Sequence, residues 1–272
     1  MPTRLHRTVC VILSGLMMSG AACGQALAGD GHGSADWGSS LQIGGIVIVT
    51  PKYEGSADYR VIGAPIVAPG SMSGDGRVQF KGIDDLRLRV FKHDGFEAGP
   101  LVGWRFGRDE EDGRRLWGLG DVDGGLVVGG YMAYEIGILK PFLSYHHQVT
   151  GDDAGGLLRF GSEAKFALGG GAELVGTLGA TYADSNYMDA YFSVTSEQAA
   201  ASVAGLTAFD ADAGIKDVYL GVAATVPLSE LWTLRLNAKY ARLVGDAAES
   251  PIVENENQFS GGLGLTYRLN LR

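Results

Sequence analysis

Four histidines lie beyond the first 28 residues, His32, His93, His146 and His147, and they are the side chains that could do acid–base work near neutral pH. On an extended strand His146 would sit beside Ser144 and Lys140, a base next to a hydroxyl, with nothing to present them to a substrate. His146 and His147 are adjacent, so on a strand they point to opposite faces and cannot chelate one metal ion. The run Asp109-Glu110-Glu111-Asp112, with Asp121 and Asp123, carries enough carboxylates for a divalent cation but reads as solvated loop. Gly261-Gly262-Leu263-Gly264 has phosphate-loop glycines without the helix that would complete the site. These residues therefore predict no catalytic centre, no cofactor and no metal site.

The elements that would position them begin after a leader. Arg4, His6 and Arg7 precede an apolar stretch from Thr8 to Cys23, and Ala26 and Ala28 frame an A-x-A cleavage site before Gly29. A cleaved signal over 1–28 is expected in preference to a membrane anchor, because the stretch falls short of the ~20 residues a spanning helix needs. It is also preferred to lipidation at Cys23, where Gly20 stands in place of the usual aliphatic residue. Both cysteines, Cys10 and Cys23, belong to this leader, so disulfide and thiolate chemistry is not expected in the mature chain. The whole chain of 272 residues has a formal charge of −9 with no basic stripe, which argues against nucleic acid as a partner.

Beyond the leader no run of eighteen apolar residues occurs, and hydrophobicity instead alternates. Trp232, Leu234, Leu236, Ala238 and Tyr240 share one parity, and Thr233, Arg235, Asn237 and Lys239 the other. The same period recurs in 96–106, 158–168, 218–226 and 263–271. A soluble sandwich also alternates, but strands of about 10 to 14 residues exceed the usual ~5 to 6, and aromatic residues such as Trp104, Phe106, Trp232, Tyr240 and Tyr267 gather near strand ends. The fold class predicted is an all-β, closed antiparallel transmembrane barrel of about twelve strands with a polar lumen. The strands fall near 40–50, 61–68, 76–81, 84–92, 96–107 and 124–136, then 138–149, 156–168, 172–184, 214–227, 231–244 and 258–271. Long connections at 51–60, 108–123, 150–155, 185–213 and 245–257 belong outside, and tight links at Asp94-Gly95, 169–171 and 227–230 belong in the periplasm. Gly82 to Asp84 is oddly short for an outer loop. Within 185–213, Ser196 to Ser202 could form a short helix with Ser196 as its cap.

Four segments carry a resemblance: Pro51 to Arg60 leading into Pro65, Gly99 to Asp112, Tyr187 to Ala204, and Leu243 to Val253. Together they resemble the MipA/OmpV family of outer-membrane proteins over nearly the whole mature chain. Ser193 stands where relatives often have Gly, and the chain ends Leu269-Asn-Leu-Arg272 rather than on an aromatic residue. The resemblance implies outer-membrane localisation, contact with its lipids and no enzymatic activity of its own. It further implies a scaffold joining a lytic transglycosylase to a bifunctional penicillin-binding protein; the alternative class is a narrow pore or a surface-exposed binding barrel, and a lipid-modifying enzyme ranks third.

On this topology 1–28 is the signal, 29–39 a periplasmic segment and 40–272 the barrel, with 29–39 and 69–75 the segments long enough to meet a periplasmic enzyme. Arg87, Arg89, Glu97, Arg105, Arg159, Glu163, Lys165, Arg235 and Lys239 would crowd the lumen and pair with charges on neighbouring strands. The first strand would pair with the last. That brings Tyr53, Glu54, Gly55 and Ser56 against Gly245, Asp246, Ser250 and Pro251 at the outer rim, with Asp58, Asp246 and Ser250 bonding backbone amides, as a structural clasp or a ligand site.

Overall fold

The computed structural model describes residues 40–69, 77–151 and 155–270. The expected signal over 1–28, the segment 29–39 and most of 69–75 lie outside the described residues. Thirteen strands form one antiparallel sheet: β1 Ser40–Pro51, β2 Tyr59–Pro69, β3 Val78–Gly82, β4 Asp85–Leu88, β5 Phe91–His93, β6 Phe96–Arg105 and β7 Gly125–Tyr134 in the first half. The second half holds β8 Leu139–Gln148, β9 Gly156–Gly169, β10 Ala172–Ala183, β11 Gly214–Pro227, β12 Trp232–Leu243 and β13 Asn257–Asn270. Three short helices, α1 Ser185–Tyr191, α2 Ser196–Ala201 and α3 Gly245–Glu249, lie in the long loops.

The sheet runs β2-β1-β13-β12-β11-β10-β9-β8-β7-β6-β4-β3, with β5 also paired to β6. The strand expected at 84–92 is broken at Arg89 and Val90 into β4 and β5, and both halves lie along β6, so thirteen strands occupy twelve places. β1 pairs with β13 from Ser40↔Asn270 to Val49↔Gly261, joining the first and last strands of the chain, and β2 and β3 stand at the ends of the sheet order. The sheet curls on itself. Lys81 of β3 reaches Glu163 of β9, five strands away in the sheet, at 2.7 Å. Arg60 of β2 lies 5.6 Å from the ring centre of Phe106, just beyond β6, and 3.7 Å from Asp112.

Alternation sorts the side chains as a membrane requires. Apolar residues such as Val61, Val67, Leu178, Leu220 and Leu263 are exposed on the outer surface, whereas Gln42, Arg87, Glu97, Ser144, His146 and Thr266 are buried inside. Trp232 packs edge-on to Tyr267 at the short-turn end and Tyr240 against Phe259 near the long-loop end, each pair at 5.0 Å. The link Gly82 to Asp84 is short because it turns inward. Trp104 donates its backbone N–H to Ile83 O, and Asp84 points across the lumen to Arg159.

Candidate functional site

Five long connections gather at one end of the barrel into a cap with an apolar interior. Tyr187, Met188, Tyr191 and Phe192 of α1 and its C-cap bury against Leu157, Ala183, Ala211, Leu243 and Ala247. Tyr53, Leu116, Leu119, Val194 and Ile252 form a second cluster, and Phe209 packs on both. α1 starts where Asp184 accepts the Tyr187 N–H at 2.9 Å and, with its other oxygen, the Gly156 N–H at 2.7 Å. One carboxylate thus ties the helix to the start of β9. α2 is capped by Thr195, whose hydroxyl accepts from Gln198 N–H, rather than by Ser196; Ser196 is the first helical residue.

Beneath α1 the cap is fastened by buried charges. Lys216 would face lipid under strict alternation, but the register shifts between Thr181 and Tyr182, and this bulge turns both Lys216 and Asp217 inward. Lys216 Nζ lies 2.6 Å from Asp217 and 2.6 Å from Glu54, and the Tyr187 hydroxyl donates to Glu54 at 2.8 Å. Arg105, at the end of β6, stacks on the Tyr187 ring at 5.0 Å and donates to Gly155 O. Arg108 donates to Tyr191 O and the Ser250 hydroxyl to Phe192 O. α1 is therefore anchored on the ends of β6, β9 and β11, with Ala183 of β10 and Leu243 of β12 packed beneath it.

Burial raises the Tyr191 phenol to about 12 and Tyr187 well above its usual range, with Glu54 adding to both. Tyr53 is likewise held neutral by burial and by Glu254. Desolvation pushes the Asp109 carboxyl up, and its neighbour Asp121 adds to the effect, while burial lowers the Arg108 guanidinium. Asp109, Asp112 and Asp121 are engaged in local turns: Asp112 accepts Asp109 N–H and Asp121 accepts Glu110 N–H.

The segment after β1 lies beside the segment before β13, several residues further along than the spacing suggested. Gly55 N–H donates to Gln258 Oε1, and Gly55 O accepts from both Glu254 and Asn255. Tyr53 OH donates to Ile252 O and Ala57 N–H to Glu254. Gly55 has φ +92°, and a Cβ there would lie 2.5 Å from Val253 Cγ2. Ser56 Oγ accepts the Asp58 N–H, whereas the Asp58 carboxylate approaches Lys52 and bonds no backbone amide among the described residues. Asp246 accepts the Asp212 N–H, Ser250 the Ile252 N–H, and the Pro251 carbonyl the Arg115 guanidinium. Gly245, at φ +55°, opens α3.

Most lumen charges are paired: Lys165 with Glu173 joins neighbouring strands as expected, whereas Arg159 with Asp84 and Lys81 with Glu163 reach across the interior. Arg87 bonds Asp85 through two contacts, Arg159 bonds Asp84, Lys165 bonds Glu173, and Lys140 and Arg89 flank Glu97. Arg235 and Lys239 differ from the expectation: neither has a carboxylate partner among the described residues, and the acids that act on them, Glu173, Asp217 and Asp84, are held by Lys165, Lys216 and Arg159. His146 is fully enclosed, with Nε2 3.0 Å from Ser144 Oγ and Nδ1 3.1 Å from Asp84 O, so this base and hydroxyl brace the lumen wall. His147 faces outward and stacks on Tyr145.

Sequence reasoning missed α1 and the bulge at Lys216. Tyr187, Met188, Tyr191 and Phe192 recur at helical spacing inside a loop, which was the available signal for the first. Nothing in the alternation marks the second.

Outer membrane protein Omp26La of Vibrio anguillarum is 32% identical over 98 residues, 36% of this chain and 37% of that protein. Outer membrane protein OmpV of Vibrio cholerae is 34% identical over 101 residues, again 36% and 37%. The chain thus spans 37% of the length of these curated relatives. Among solved structures, the COG4313 outer membrane channel from Pseudomonas putida F1 aligns at 11% identity and a TM-score of 0.42, covering 89% of this chain and 100% of that one. OprG from Pseudomonas aeruginosa aligns at 12% identity and 0.24, covering 87% and 98%. The sequence model of the MltA-interacting protein MipA family matches residues 43–269. With that match spanning almost the whole sheet, the chain belongs to the MipA family and is an outer-membrane β-barrel protein.

Proposed function

We propose that this barrel is a non-conducting membrane anchor that scaffolds peptidoglycan-remodelling enzymes, and that it has no catalytic residues of its own. The observation that carries the reading is the cap. α1 packs over the ends of β6, β9, β10, β11 and β12 on an apolar core, an arrangement that obstructs solute flow and so favours a scaffold over a narrow pore. The family's name, MltA-interacting protein, supports a lytic transglycosylase as the partner, with a bifunctional penicillin-binding protein as the second enzyme. A periplasmic partner needs periplasmic residues, and the turns at that end of the described barrel are short, so the contact is assigned to 29–39 and 69–75.

The test joins two measurements on the full protein in detergent. Affinity capture from solubilised membranes should bring down a lytic transglycosylase, and a variant lacking 30–38 with 69–75 replaced should not. Retained capture by that variant refutes the assigned contact. Failure to capture any transglycosylase, together with large stable currents in planar bilayers, overturns the scaffold in favour of a pore.

A further inference from the structure

The interior wall is uneven. On the β3–β9 side long cations meet carboxylates, as Lys81 does Glu163 and Arg159 does Asp84. On β12 the inner face carries Arg235, Asn237 and Lys239 in a column about 13 Å long. Lys239 lies over the Tyr219 ring at 4.3 Å, and the buried Arg235 Nε has no hydrogen-bond partner. Glu173, the carboxylate within electrostatic reach of Arg235, is held by Lys165 at 2.7 Å. Asp217 and Asp84, within electrostatic reach of Lys239, are held by Lys216 and Arg159.

Small residues flank every rung of this column. Lys239 stands between Gly221 of β11 and Ser260 of β13, Asn237 between Ala223 and Gly262, and Arg235 between Thr225 and Gly264. The positions beside the three heads carry no bulky side chain, Tyr219 meets Lys239 from one side only, and Asn237 and Lys239 are exposed although they face inward. Arg268 continues the same inner face at the short-turn end of β13, where Gln42 is its partner in register. The cap sits at the opposite end. Cations that face a partly enclosed space with no carboxylate beside them among the described residues are costly unless something negative joins them.

We propose that the trough on β12 binds a small polyvalent oxyanion, carrying carboxylate or phosphate groups, that enters from the periplasmic end. Arg235 and Lys239 supply the charge and the Asn237 amide a hydrogen bond between them; Arg268 draws the anion to the mouth. The inference depends on the barrel interior and not on the scaffold role, so captured transglycosylase without anion binding would remove this site and leave that reading intact.

Calorimetric titration of the full protein in a zwitterionic detergent, with citrate and with inorganic phosphate at constant ionic strength, tests the site. Saturable binding of at least one probe is expected, and the probe that binds distinguishes a carboxylate from a phosphate ligand. Arg235→Gln and Lys239→Gln should each weaken it at least tenfold. Lys52→Gln, at the outer rim, should leave it unchanged. Ala223→Leu keeps both cations but fills the trough, and should weaken binding in a chain whose charges are intact. Absence of saturable binding overturns the proposal, as does equal binding by an Arg235→Gln/Lys239→Gln double variant or equal competition by chloride, which would reduce the trough to a counterion atmosphere.

Discussion

Lys216 shows how one residue changes the reading of a strand. It sits in β11, where alternation points it at lipid, yet the bulge buries it between Glu54 and Asp217. Replacing it with Met would leave Asp217, 4% exposed, without its cation and would loosen Glu54 from the cap. The expected loss is about 3–5 kcal/mol, against at most about 1 kcal/mol for Lys52→Met, whose Asp58 partner is largely solvated. Urea unfolding in detergent of the two variants beside the parent checks the contrast; equal losses would remove Lys216 as the latch. The phenols beneath the cap give a pH dependence of defined sign. A tyrosine in an unfolded chain ionises near pH 10, whereas Tyr191 is held neutral to about 12 and Tyr187 beyond. Because their folded values are raised, the stability they contribute is complete below about pH 10 and is lost as the pH climbs toward the folded values, by about 3 kcal/mol for Tyr191. The cap should therefore open in alkali. Tyr191→Phe should blunt that loss, and a phenolate absorbance titration in which every tyrosine ionises together near pH 10 would contradict it.

α1 is the element on which the cap depends, and with seven residues it is too short to persist without its cap and its packing. Asp184→Ala removes acceptors for the Tyr187 and Gly156 N–H groups together, at a cost of about 1–2 kcal/mol. The strands are held by continuous ladders, so the opening should stay local. Hydrogen exchange should quicken through 184–213 while β11, β12 and β13 keep their protection; uniform acceleration would mean that cap and barrel form one cooperative unit. The barrel itself was legible because lipid outside and polar groups inside impose period two, as in the run from Trp232 to Lys239. Long loops on one side and short turns on the other were equally legible. What alternation cannot encode is a break such as Arg89-Val90, a bulge such as Lys216, or a turn folding inward such as Gly82 to Asp84, because each depends on partners distant in the chain. The neighbouring loops were legible from the pairing of the first and last strands. Their register was not: Gly55 meets residues 253–258 because Val253 packs against a glycine and Gln258 reaches back.

At the scale of the whole molecule, the proposed non-conducting barrel would divide the work of blocking transport between cap and lumen. The β3–β9 side carries ion pairs across the interior, and the β11–β13 side is lined by small residues around Arg235 and Lys239, so on the proposed reading α1 and its loop above would be the chief barrier on the second side. The complete protein should then show no resolved channel steps in planar bilayers. Replacing 186–211 with a short Gly-Ser linker removes Tyr187, Met188, Tyr191 and Phe192 from the mouth while retaining every strand. That variant should conduct, and its currents should favour anions, because the cations left without carboxylates, Arg235 and Lys239, line the path it opens. Adding Arg235→Gln and Lys239→Gln to the trimmed chain should abolish the preference while conductance remains. A trimmed chain that folds but stays silent would place the block in the lumen rather than in the cap. A cation-selective trimmed pore would mean that the carboxylates of the opposite wall, and not the column on β12, set the field along the open side.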